Sequence, residues 1–264
     1  MYNPNLDIAE GKGRLDLQSS FLIKKDISNL RTILRDEATV LDVGCSNGNH
    51  TRKVYDDFNV QVTGIDSNSE AISKTKNDSK HTFKVFDIVT DDLSKLNKYD
   101  VVTCYLVLHH IDSVEVLKRV ISLVKQGGWL VIRTSSDSDE YKKNEPTNDD
   151  LDFLLGITGK IAGASNRLHV ELLEKQLDEL GQKYLFLPYL TNTLGMDSST
   201  RVDFFNDNYG FRDQVISSLS KNEPTPYNLE LFNKIQDAIN RQRKNFMKNK
   251  VFSETNQPTF LIQC

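Results

Sequence analysis

The feature that most constrains this chain is a repeated change of hydrophobic period across its first half. Short apolar runs at 38–44 (ATVLDVG), 60–66 (VQVTGID), 81–87 (HTFKVFD), 99–108 (YDVVTCYLVL) and 128–135 (GWLVIRTS) alternate with stretches of helical length. Strand-length runs separated by helices predict βαβ units and a parallel sheet, because parallel neighbours need a long crossover that a helix supplies. A stripe of Leu17, Phe21, Leu30 and Leu34, with Ile23 and Ile27 near the same side, predicts an amphipathic helix before the first strand. Val114, Leu117, Ile121 and Val124 form the clearest later stripe, expected to close at Gly127-Gly128.

The second half is less regular. SSDSDEYKKNEPTNDD, residues 135–150, is expected to be a loop or lid that is mobile without ligand. A helix carrying Val170, Leu173, Leu177 and Leu180 ends at Gly181, KYLFLPYL at 183–190 reads as a sixth strand, and PTFLIQC at the end as a seventh. Between these last two lies a long helix with Leu231, Ile235, Ile239 and Phe246 in register. The expected fold is therefore α/β: a Rossmann-like, seven-stranded, mostly parallel sheet with an antiparallel last strand, helices on both faces, and a helical substrate cap. One domain is expected over 1–264, divided into an N-terminal helical cap segment 1–37, a ligand-binding core 38–190, a helical insertion 191–257 and a final strand 258–264.

Charge and cysteine usage exclude several classes. With 33 basic and 37 acidic residues the net charge is −4, so no global field draws the chain to nucleic acid or anionic membrane. Neither a signal peptide nor an apolar run of membrane-spanning length is readable, and a cytoplasmic protein is expected. Cys45, Cys104 and Cys264 are three, far apart, and read as reduced thiols with no metal-site spacing.

The chemistry gathers at the carboxyl ends of the first strands, where an open α/β sheet binds ligands. VLDVGCSNGNHT runs a strand into Asp42, then a turn with Gly44 and Gly48. Ser46 and Asn49 stand where a dinucleotide fingerprint has its second and third glycines, which weakens an NAD reading. Asp66, about 20 residues past the first glycine, is placed to accept both hydroxyls of a ribose. A nucleoside without phosphates fits these features together. His109 and His110 follow the fourth strand; His109 is a candidate general base near neutral pH, and Tyr105 a second candidate, against a packing role for either. On an extended segment the two imidazoles would point apart, so no metal site is expected.

In these segments the chain resembles the class I S-adenosylmethionine-dependent methyltransferases, of the small-molecule type. VLDVGCSNG resembles their first motif, GIDSN the acid on the ribose, FDIVTDD the acid near the adenine, YDVVTCYLVLHHI the fourth motif, and LVKQGGWLVIRT the fifth strand with its turn. The resemblance implies S-adenosyl-L-methionine as cofactor. It places Asp42, Gly44, Cys45, Ser46 and Gly48 at the amino-acid part, Asp66 and Ser67 at the ribose, Asp87 and Ile88 at the adenine, and Cys104 beside them. Arg14 is implied as a partner of the methionine carboxylate. Ser46, where the family has a glycine, departs from the pattern.

The implied reaction is in-line displacement at the sulfonium methyl by an N, O, S or C nucleophile of a small molecule. Nine aromatics between Tyr184 and Phe232, among them Phe204, Phe205, Tyr209, Phe211 and Tyr227, favour an enclosed apolar pocket, or else pack inserted helices. The basic run at 241–250 keeps an RNA or protein methyltransferase as an alternative, although a solvated helix face suits it better. A non-catalytic cofactor-binding protein is the other alternative.

Overall fold

A computed structural model describes residues 14–111, 113–134, 148–161, 169–210, 212, 225–251 and 253–264. Five parallel strands carry the first half: β1 (Thr39–Val43), β2 (Gln61–Asp66), β3 (His81–Val85), β4 (Tyr99–Tyr105) and β5 (Val124–Arg133). Four helices belong with them: α1 (Arg14–Arg31), α2 (Asn49–Tyr55), α3 (Ser69–Ser73) and α4 (Val114–Ser122). The second half adds α5 (Asp149–Ile161), α6 (His169–Glu179), β6 (Tyr184–Leu187), β7 (Leu190–Asn192), α7 (Ser198–Phe205), α8 (Pro226–Met247), β8 (Glu254–Asn256) and β9 (Thr259–Gln263). The main sheet has the order β3-β2-β1-β4-β5-β9-β6, with β9 antiparallel to both neighbours, as expected from the alternating runs. The order reverses direction between β1 and β4, which is where such sheets bind ligands.

Strand alternation splits the core into two layers. Leu41, Val43, Val102, Cys104, Leu130, Ile132, Phe260 and Ile262 meet α4 and α6 through Val116, Leu117, Val120, Val170, Leu173 and Leu177. Val40, Val101, Val131 and Leu261 point the other way, onto Leu30 of α1 and Val54 and Tyr55 of α2. The helices thus cover both faces, and each strand residue is spent on one of them.

Two local readings differ from expectation, and a third falls largely outside the described residues. The stripe of α4 stops at Ser122, and Val124 pairs with Tyr99 in β5, so Gly127 and Gly128 sit in a strand irregularity rather than at a helix end. Gly128 has no room for a side chain, since a Cβ there would lie 2.6 Å from the Asp100 carbonyl. The sixth run is broken at Pro188, giving β6 and a separate β7 that pairs with β8 in a two-stranded ribbon. The expected lid falls mostly on residues outside the described ones; its last residues, from Asp149, begin α5.

By contact density the chain divides into two units, 20–138 with 166–190 and 256–264, and 1–19 with 139–165 and 191–255. The second has a core of its own. Phe205 lies 4.9 Å from Phe246 and 5.5 Å from Tyr209, centroid to centroid, and Arg201 ties the start of α7 to the end of α8 through the Phe246 and Met247 carbonyls. The aromatics expected to enclose a pocket are therefore largely packing residues: Phe204, Phe205 and Tyr209 are buried in this core, while Tyr184 and Phe186 meet Phe260 of the sheet at tilted and edge-on angles. Tyr227 is exposed, and Phe211 lies outside the described residues. In the basic run, Arg241 makes a two-pronged pair with Asp150 and Arg243 donates to the Asn206 side chain.

Candidate active site

The turn after β1 is held almost entirely by its own amides. Gly44 and Cys45 N–H both donate to the Ile65 carbonyl (2.8 and 3.0 Å), Gly48 N–H to the Cys45 carbonyl (2.9 Å), and Asn49 N–H to the Asn47 side chain (3.1 Å). Ser46 N–H donates to Asp66 Oδ2 at 2.8 Å. A phosphate cradle needs such amides turned outward onto an anion; here those of Gly44, Cys45 and Ser46 are spent on the end of β2 and those of Gly48 and Asn49 within the turn, which disfavours a pyrophosphate-bearing ligand. Ser46 takes φ 49°, the left-handed conformation that the usual glycine would adopt. The departure at this position therefore leaves the path of the turn intact, at a cost of about 1–2 kcal/mol for a residue with a Cβ. Gly44 and Gly48 (φ 74° and 73°) also meet side chains closely: a Cβ would come within 2.3 Å of Val107 and 2.7 Å of Phe83, respectively.

Asp66 ends β2 half-buried. Its second oxygen accepts Asn68 N–H at 2.8 Å, so each carboxylate oxygen holds one amide and keeps a lone pair for a ligand hydroxyl. Burial pushes its pKa above the usual carboxylate value, and the two amides pull it back in part. Ser67 beside it is exposed. That donor and acceptor set fits a ribose.

Asp42 sits in a buried network of hydroxyls. Its buried carboxylate accepts from Thr51 Oγ1 of α2 (2.5 Å) and Thr103 Oγ1 of β4 (2.8 Å), and Thr103 also accepts from Tyr55 OH (3.1 Å). It therefore braces α2 against β1 and β4 through hydroxyls, and reaches no amide of the turn. Burial raises its pKa. Cys45 and Cys104 are also buried, Cys104 with its side chain in the apolar core, and burial pushes both thiols up.

At the end of β3, Asp87 closes its own turn, accepting Val89 N–H (2.8 Å) and Thr90 OH (2.9 Å), while Ile88 is buried and its carbonyl accepts Arg119 Nε (2.7 Å). Arg119 also donates to the Asp91 carbonyl, so one arginine from α4 clamps the whole 88–91 segment. Arg14 is the first residue of α1, and its side chain lies outside the described ones.

The carboxyl ends of β4 and β5 are built from side chains that lie far apart in sequence. Tyr105 and Arg133 are strand partners, and the Arg133 guanidinium lies 4.6 Å from the centroid of the Tyr105 ring. Arg133 donates to Asp26 of α1, whose other oxygen is 3.0 Å from Nε2 of His50, in the first turn of α2. The His50 ring meets Tyr105 edge-on at 5.3 Å. Asp26 and Arg133 are buried, and His50 is partly exposed. Burial raises the Tyr105 phenol well above its usual pKa. Beyond it, Leu106 takes φ 58° and a one-turn 3₁₀ helix, Leu108–His110, follows. That turn corrects the extended geometry expected there: the His109 and His110 rings lie side by side, centroids 3.9 Å apart, His109 half-buried and His110 exposed. Among the described residues no group of three or more potential ligands could hold a metal ion.

Asp26, His50 and Arg133 were not among the residues singled out from the sequence. One signal was present, an arginine inside the otherwise apolar fifth run, because a charge there demands a buried partner.

A sequence model of a family described as a methyltransferase domain matches residues 18–184. The chain is 29% identical over 126 residues to a mitochondrial ubiquinone biosynthesis O-methyltransferase of Candida albicans, covering 42% of this chain and 38% of that one. It is 26% identical over 153 residues to the sterol 24-C-methyltransferase of Saccharomyces cerevisiae, covering 55% and 39%. The matched segments thus span under two-fifths of the length of either relative. Among solved structures, a methyltransferase of Geobacter sulfurreducens in complex with S-adenosyl-L-homocysteine aligns over 91% of this chain and 89% of that chain at 16% identity, with a TM-score of 0.50.

Proposed function

The chain belongs to the methyltransferase domain family, and from that premise we propose that it transfers a methyl group from S-adenosylmethionine to a nucleophilic atom of a small molecule. The observation that carries the donor assignment is Asp66, half-buried at the end of β2, holding two backbone amides and keeping lone pairs for two hydroxyls, beside a turn whose amides are already consumed. Support for a small acceptor comes from the names of the two relatives, one for ubiquinone biosynthesis and one for a sterol.

When bound, S-adenosylmethionine supplies a methyl carbon made electrophilic by the attached positive sulfur. The protein's own contribution is to orient and to exclude water, and alignment of this kind is worth up to about 7–11 kcal/mol. Asp66 would accept the ribose hydroxyls, the Gly44–Gly48 turn would take the amino-acid end, and the turn closed by Asp87 and clamped by Arg119 would border the adenine. Asp42 holds α2 in place through Thr51 and so keeps the glycine turn in register with β4.

Calorimetry tests this reading. S-adenosylmethionine and S-adenosylhomocysteine are expected to bind and NAD not to. Asp66→Ala should weaken both by one to two decades, the loss of charge-assisted hydrogen bonds worth about 1.5–3 kcal/mol. Unchanged affinity in that variant, or preference for NAD, overturns the assignment.

A further inference from the structure

We propose that Arg119 of α4 is a positioning residue for the methyl donor: by gripping the 88–91 turn through its carbonyls it fixes the Ile88 amide and the Asp87 carboxylate as a donor–acceptor pair for the pairing edge of adenine, and so sets the preference of the site for adenine over a 6-oxopurine. This rests on the methyltransferase reading and adds to it the base selectivity and the residue that enforces it.

The turn after β3 closes on itself at both ends. Asp87 N–H donates to Asp91 Oδ2 (2.9 Å) and Asp91 N–H to the Asp87 carbonyl (2.9 Å). Phe86 N–H crosses to the Asp66 carbonyl at the end of β2 (3.0 Å), which sets the turn beside the residue that would take the ribose. The Asp87 carboxylate accepts Val89 N–H on one oxygen and the Thr90 hydroxyl on the other, and each oxygen keeps a lone pair. Among the described residues, the Ile88 N–H makes no hydrogen bond. A donor therefore stands next in the chain to an acceptor. Adenine offers the complement on its pairing edge, the N6 amine as donor beside N1 as acceptor. Hypoxanthine offers the reverse, a carbonyl at position 6 beside N1–H, which would set oxygen against carboxylate and N–H against N–H.

Discrimination of this kind holds only while the two protein groups cannot turn to follow the wrong base. The Asp87–Ile88 peptide, which carries the Ile88 N–H, is held at its carbonyl by Asp91 N–H. The next carbonyl along, that of Ile88, accepts Arg119 Nε at 2.7 Å, and the Asp91 carbonyl accepts a terminal nitrogen of the same guanidinium. A planar fork with fixed donor directions thus holds the middle and the end of the turn at a set separation. The Ile88 side chain adds a further anchor, buried in the same apolar core as Val116, Leu117 and Val120 of α4.

Arg119 is half-buried and contacts the turn through backbone carbonyls, so its loss leaves the hydrogen bonds inside the turn intact and removes the brace behind them. A lysine in its place can reach one carbonyl but cannot span both with one rigid group.

Calorimetry with S-adenosyl-L-homocysteine and S-inosyl-L-homocysteine, which differ only at position 6 and the N1 proton of the purine, reads the selectivity. The parent protein is expected to favour the adenine form by about 10- to 100-fold. Arg119→Ala should weaken the adenine form about tenfold and the hypoxanthine form less than about twofold, so that the ratio narrows. Arg119→Lys should fall between parent and Arg119→Ala. A residue that only stabilises the fold would shift the thermal melt and lower both affinities together, with the ratio unmoved. If Arg119→Ala melts early, Arg119→Lys and Arg119→Gln are titrated at a temperature where circular dichroism shows them folded. A parent protein that binds both nucleosides equally, or Arg119 variants that keep the parental ratio, overturns this inference and leaves the methyltransferase reading standing. A parent protein that binds neither would instead remove that reading.

Discussion

At the carboxyl ends of β1 and β2 the polar contacts run between a carboxylate and backbone amides: Asp66 accepts from Ser46 and Asn68, and the glycine turn closes on the Ile65 carbonyl. At the ends of β4 and β5, the next strands of the same sheet, they run between side chains delivered by four elements, Asp26, His50, Tyr105 and Arg133. The first corner is assembled within about two dozen residues of chain, whereas Asp26 and Arg133 are 107 residues apart. Backbone contacts are insensitive to side-chain identity at most positions, so the first corner should tolerate substitution and report chiefly through ligand affinity. The second depends on each member being present, so it should report through stability as well as rate.

The sharpest test of that contrast removes one acid from each corner. Asp26→Ala leaves the buried Arg133 guanidinium without its carboxylate, and breaking a buried pair from one side costs about 3–5 kcal/mol. Asp66→Ala removes an acceptor from two amides at a half-exposed turn, with an expected stability loss of no more than about 1–1.5 kcal/mol. Urea unfolding of the two variants measures both. Equal losses would mean that the two corners are not built differently.

A second test asks whether the first corner is tolerant throughout. Gly44→Ala is the expected exception: it forces a Cβ into the left-handed region and to within 2.3 Å of Val107, for a combined cost of about 2–4 kcal/mol. In the background of Val107→Ala the steric part should be relieved and the conformational part, about 1–2 kcal/mol, should remain. If the double-mutant cycle shows no coupling, Val107 is not what Gly44 makes room for.

The same contrast explains what could be read without coordinates. The sheet was legible because each run carries its own period, and the last strand was legible as an apolar terminus. The glycine turn and Asp66 were legible because their partners lie within one βαβ unit, at fixed spacing. Asp26, His50 and Arg133 were not, since no local pattern links an acid on α1, a histidine after a glycine turn and an arginine in β5. The imidazole pair at His109 and His110 was misjudged because Leu106 turns the chain at φ 58°, a conformation that nothing about a leucine signals. The end of α4 was misplaced for a related reason: Gly127 and Gly128 look like a helix stop, and only the Asp100 carbonyl beside Gly128 shows why glycine is required within the strand.

The smallest expected effect uses pH to separate the two acids within the first corner. Burial raises the pKa of Asp66 from its usual 3.8, against the opposing pull of its two amides, and burial likewise raises that of Asp42. A carboxyl raised in the folded state holds its proton more tightly there than in the unfolded chain. Its stabilising contribution is therefore complete below the usual value and is lost as pH rises through the folded value. On this account, the share of stability due to Asp42 and Asp66 should grow as pH falls from neutral towards about 4. Affinity for S-adenosylmethionine should move the other way, since ribose hydroxyls donate to a carboxylate and a protonated Asp66 has lost half of its acceptor character. That affinity is expected to fall over the window. Asp42→Asn should flatten part of the stability trend and leave the affinity trend, because among the described residues the Asp42 carboxylate is hydrogen-bonded to Thr51 and Thr103. Asp66→Asn should flatten the affinity trend. Calorimetric titrations and thermal melts at matched pH read both, and an affinity that follows Asp42 instead would place that residue, rather than Asp66, against the ligand.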